Sequence, residues 1–137
     1  MLDLQKLNVS EAAESGYKLN LVHPVTRQAI DGAFITVRGD DSKTVQKWIR
    51  GVIARRQTEE LMAKKRGREL EPMSLAEAEE RANESAAKRV IGWEGIANGK
   101  TELAFTEESA KQLFAEHNWI RDQVLEASRD LGNFVKG

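Results

Sequence analysis

The chain contains no cysteine, so neither a disulfide framework nor thiol chemistry is open to it. It has two prolines, Pro24 and Pro72, which leaves long stretches free to be helical. No apolar run approaches the roughly 20 residues that a membrane-spanning helix requires. The opening residues, MLDLQKLNVSEAAESG, have neither the basic start nor the apolar block of a secretory signal. A soluble, intracellular protein is the expectation. An excess of one charge is also missing: charged residues make up 31% of the chain, yet the formal net charge is -1. Such balance argues against a protein whose main business is coating nucleic acid. Aromatic residues are scarce, at 6%, so each of the three tryptophans is informative.

A length of 137 residues predicts one domain, able to bury about two-thirds of its unfolded surface without a staple. Residues 1–16 read as an N-terminal arm with little regular structure. Tyr17, Leu19 and Leu21 alternate with Lys18 and Asn20, the period of a half-buried strand that Pro24 stops. Asp31-Gly32 signals a turn, and residues 33–38 are rich in β-formers. Together they predict a loose antiparallel hairpin with a loop of about ten residues, which must pack on helices or pair with another chain. Gly39-Asp40-Asp41-Ser42 then opens a helix with the stripe Val45, Trp48, Ile49, Val52 and Ile53. That helix runs on through Leu61 and Met62 and ends near Gly67. Ser74 and Glu77 have the spacing of a capping box for the next helix, whose inner face carries Ala78, Ala82, Ala86 and Val90. Gly92 to Ile96 breaks it, and Asn98-Gly99 is a turn. Thr106 caps a third helix with the stripe Ala110, Leu113 and Phe114. Asn118 is placed to cap a fourth, where Ile120, Val124, Ala127, Leu131 and Phe134 form a heptad seam, either core or a face that meets another chain. The expected fold class is α+β, mainly α: an arm and hairpin over 1–41, then about four helices over 42–137, in one compact unit.

Catalytic and metal chemistry find little foothold. His23 and His117 lie far apart and lack the helix-spaced partners of a zinc site, so surface or turn roles are expected. Asp40-Asp41 is conceivable as a magnesium pair, but helix capping explains both residues. The carboxylates sit among Lys and Arg on helix faces, and a catalytic pair would need burial to raise a pKa. There is no nucleophile elbow, phosphate loop or dinucleotide fingerprint. No enzyme, no cofactor and no metal is the expectation.

The stretch from Arg55 to Arg68 is strongly basic. It admits three roles: a nucleic-acid contact, a solvated helix end favoured by the dipole, or a patch that meets an acidic protein partner. It lacks interleaved aromatics and a helix-turn-helix pattern. Trp48 sits on its helix stripe, Trp93 at a glycine-flanked turn and Trp119 at the start of the last helix, all suited to core or core-edge roles. The residues singled out as partner contacts are Trp93, Trp119, Ile120, Val124, Leu131, Phe134, Arg55 and Arg56.

The run VIGWEGIANGKTELAFTEESAKQLFAEHNWIRDQVLEASRDLGNF resembles the C-terminal part of phage tail assembly chaperones. The likeness lies in the turn Trp93 to Ile96, the helix start Ala104 to Glu108, Gln123-Val124 and the terminal Asn133-Phe134. The front half fits too, with an extended segment and then Gly39-Asp40-Asp41-Ser42 opening a long helix that runs into a basic region. The resemblance implies a small non-enzymatic protein of the host cytoplasm, generally absent from the mature virion. It would bind the tape measure protein, keep it soluble and help recruit tail tube protein subunits. A homo-oligomer suits that work, with no membrane and no nucleic acid among its partners. The rivals are a small nucleic-acid-binding regulator using residues 55–68, and a structural head–tail or tail component of the virion.

Overall fold

Strand β1 (Tyr17–Val22) pairs antiparallel with β2 (Ala29–Val37), in the register Tyr17 with Val37 and Leu19 with Ile35. This is the expected hairpin, in a computed structural model that describes residues 1–135. Its connection is shorter than foreseen because β2 begins at Ala29 rather than Ala33. A bulge between Asn20 and Val22 is held by the Asn20 amide, which donates to the carbonyls of Ile30 and Ala33 at 2.9 Å each. His23 serves the turn, as expected: its Nδ1 accepts from the amides of Val25 and Thr26 at 3.1 and 3.2 Å.

The hairpin does not stay a hairpin. Strand β3 (Val90–Glu94) pairs antiparallel with β2, giving a three-stranded sheet in the order β1-β2-β3. Val90 and Ile91 were expected on a helix and Gly92 to Glu94 in a turn; all five are strand. The preceding helix passes into the strand with no linker, so no turn residue marks the boundary. Two very short strands, β4 (Ala97–Asn98) and β5 (Thr101–Glu102), close a second hairpin around Gly99, where the Asn98-Gly99 turn was expected.

Helix α1 (Val9–Ser15) corrects the expectation of an irregular arm. Asn8 caps it, accepting from the Glu11 amide at 3.1 Å. Helix α2 (Lys43–Lys65) follows the predicted start and stop. Ser42, itself buried, accepts from the Val45 amide at 3.0 Å, so the cap is Ser42 and not Asp40 or Asp41. Helix α3 (Leu75–Arg89) begins at Ser74, which accepts from the Glu77 amide. Helix α4 (Glu107–Glu116) carries a full capping box in which Thr106 and Ser109 bond each other's amides. Helix α5 (Asn118–Arg129) starts without a side-chain cap: Asn118 is its first residue and not the cap expected. A 3-10 turn, Leu131–Asn133, follows.

The core lies between one face of the sheet and helices α3, α4 and α5. Leu21, Ala33, Ile35, Val37 and Val90 of the sheet meet Ala86 and Ala87 of α3, Leu113 and Phe114 of α4, and Ile120 and Val124 of α5. The alanines of α3 permit that close approach, as expected of its inner face. The other face of the sheet is polar, with Lys18 paired to Glu94 at 2.6 Å and its ammonium 4.4 Å from the Phe34 ring centroid. The sheet thus draws on both sides of the 41/42 boundary, and residues from both sides share one core.

Candidate interaction surfaces

A groove of about 400 Å³ opens where the sheet meets the corner between α4 and α5. Leu21, Ile30 and Ala33 form one wall, Leu113, Trp119 and Ile120 the other, and Ile96 with Leu103 a third. The groove is mostly apolar, with the exposed Gln112, Glu116 and His117 at its edge. Its third wall is built on Gly95, whose φ is +72° and whose absent side chain lets it press against Gly32. Trp93 braces the same wall. Its indole N–H donates to the Leu103 carbonyl at 2.9 Å, and its ring meets Phe105 edge-on at 5.1 Å. A mostly apolar concavity of this size suits one or two large apolar side chains of a partner.

The residues singled out in the sequence divide sharply. Trp119 is half-buried and lines the groove, and Trp93 supports its wall from beneath. Ile120 and Val124 are buried in the chain's own core, and Phe134 is buried against Tyr17 and close to Gly39. Four of the five seam residues, Ile120, Val124, Ala127 and Phe134, are therefore packed within the chain, and Ile120 also lines the groove. Leu131 is exposed, away from the groove-lining residues, and Arg55 and Arg56 lie on α2, with Arg56 half-buried. Sequence reasoning missed Leu21, Ile30, Ile96 and Leu103, because a groove assembled from five separated segments has no local pattern.

A polar hub ties the body together on the other side. Arg89, buried at the end of α3, donates to the Asp40 carboxylate at 3.0 Å and to Ser128 at 3.1 Å. The Ser128 hydroxyl lies 2.7 Å from the Arg38 carbonyl and 2.8 Å from Asp40. Asp40 is thus an ion-pair partner of Arg89 and not the cap of α2. Among the described residues no group of three or more His, Cys, Asp or Glu is placed to hold a metal ion. The Thr44 hydroxyl and amide donate to Glu14, holding its carboxyl below the usual range. Lys88, 2.8 Å away, does the same for Glu107. These carboxylates are shifted towards the ionised state, the opposite of what a general acid needs.

A family model described as YdaY prophage protein matches residues 49–137, more than half of the chain. The chain belongs to the YdaY prophage protein family. It is accordingly phage-related. The YdaY match takes in most of α2, all of α3 to α5, strand β3, and two of the three groove walls, while α1, β1 and β2 precede it. No curated protein and no solved structure matches the chain.

Proposed function

We propose that the chain is a tail assembly chaperone: a non-enzymatic protein that binds the tape measure protein, keeps it soluble and helps recruit tail tube subunits in the host cytoplasm, without entering the mature virion. The observation that carries this reading is the open apolar groove beside Trp119, with walls braced by Trp93 and Gly95. An amphipathic helix binds by inserting large apolar side chains at helical spacing into such a concavity. Two further facts support it: membership of a prophage family, and the resemblance of residues 92–134, which build two of the groove's walls.

Co-expression with the tape measure protein tests the proposal. The tape measure should be soluble with the wild-type chain and precipitate without it. Trp119→Ala should weaken their complex by more than tenfold, as expected of a hot-spot tryptophan, while the chain keeps a cooperative thermal transition. Equal solubility of the tape measure with and without this chain sinks the proposal. Abundance of the chain in purified particles would point to a structural tail component instead. Salt-dependent binding to DNA would favour the regulator using residues 55–68.

A further inference from the structure

Between Val45 and Ala86 the chain has no buried residue. Over this span α2 and α3 form a helical arm, and α2 alone extends about 35 Å at 1.5 Å per residue. Ile53, Leu61, Met62, Met73 and Leu75 lie exposed on it, from 37% to 80% of their surface. Charge is divided along its length. Residues 55–68 hold six cationic side chains against Glu59 and Glu60, and residues 69–84 hold six glutamates against Arg81.

Arg55 and Arg56 of α2 line one cleft with Glu77, Glu80 and Glu84 of α3, but the opposite charges are not in close contact there. Among the described residues no ion pair joins α2 to α3. Arg56 pairs with Glu60 inside α2 at 3.8 Å, and Glu79 turns to Arg121 of α5 at 2.7 Å. Trp48 of α2 donates its indole N–H to Glu84 of α3 at 3.0 Å, and Arg56 donates to the Glu71 carbonyl in the segment between the helices at 3.5 Å.

We propose that this arm docks on the arm of a second copy of the chain, with α2 of each copy against α3 of the other. Two-fold symmetry makes every contact twice, so a surface that is basic on one side and acidic on the other complements itself. An acidic partner would be repelled by the glutamates of α3, and a basic one by the cations of α2. A second copy satisfies both helices at once. The apolar side chains supply the area removed from water, while the charges set register and salt sensitivity. The surface is separate from the Trp119 groove and does not rest on tape measure binding.

Sedimentation equilibrium of the full chain tests the pairing. The wild type should dimerise at low ionic strength and dissociate at least tenfold more readily in about 1 M salt, where screening falls to about 3 Å. Lys64→Glu/Lys65→Glu/Arg68→Glu makes segments 55–68 and 69–84 both net acidic, and Glu69→Lys/Glu77→Lys/Glu80→Lys makes both net basic. Each variant should be monomeric alone, and an equimolar mixture should form a heterodimer, because each variant's altered helix then faces its complement. Circular dichroism checks that both fold, and the wild-type salt series decides without any substitution should one fail. A wild type that stays monomeric at every concentration, a dimer indifferent to salt, or folded variants that do not pair when mixed would each overturn the proposal.

Discussion

Gly95 shows how much of the groove depends on an atom that is not there. At φ +72° an L-residue is strained, and a Cβ on Gly95 would lie 2.0 Å from the Gly32 carbonyl oxygen. Because the obstruction is backbone, no side chain can swing aside to relieve it. Gly95→Ala should therefore cost at least about 2 kcal/mol in urea unfolding, and it should widen the space between Ile96 and Ala33. Unchanged stability would mean that the 95–98 turn is not seated on β2 as described. Glu14 makes a different kind of contribution. Its folded pKa is lowered, chiefly by the Thr44 hydroxyl, so the stability it adds is complete above its ordinary value of 4.5. That stability fades as pH falls below this value and through the lowered one. Wild type should be more stable than Glu14→Gln at neutral pH, and the gap should close in acid. The side chain is more than a third exposed, which keeps the effect small. A gap that persists unchanged at low pH would separate the Glu14 contribution from its charge.

At the scale of elements, α2 and α5 are opposites. The α5 helix buries Ile120, Val124, Ala127 and Ser128, whereas α2 buries Val45 alone. Helices without tertiary packing are held by local propensity and open readily. In salt that keeps the chain monomeric, the amides of residues 54–65 should exchange with solvent orders of magnitude faster than that of Val124. Equal protection would mean that α2 is packed more firmly than its exposed side chains indicate. The same contrast explains which elements could be read from the sequence. Amphipathic stripes and caps placed α2, α3 and α4 well, because Ser42, Ser74 and Thr106 act within three residues of their partners. Burial on α2 was overestimated: the stripe Trp48, Ile49, Val52 and Ile53 is apolar in pattern yet half-buried or exposed. Periodicity reports which side chains share a face, not whether anything covers that face. Strand β3 was hidden because its partner, β2, lies more than fifty residues earlier. Trp93 and Trp119 could be singled out by rarity, but their roles as brace and groove wall depend on Leu103, Ile96 and Leu21, which only the tertiary fold brings near.

The whole molecule separates into a packed body with an apolar groove and an arm that carries divided charge. The core residues lie outside the span between Val45 and Ala86, so the body does not depend on the arm's outer turns for its burial. Shortening both helices together, by replacing residues 55–79 with a brief Gly-Ser turn, removes most exposed apolar residues of the arm but also the Arg121–Glu79 ion pair. Loop closure adds little cost, since closure entropy grows only slowly with length. The shortened chain should melt cooperatively within a few degrees of the wild type and sediment as a monomer. On the proposed division of labour it should still solubilise the tape measure protein, whereas Trp119→Ala should lose that activity and still dimerise. The two variants thus give opposite outcomes in the two assays. If the shortened chain also failed with the tape measure while remaining folded, the arm would be part of the same binding surface, and groove and arm would have to act together.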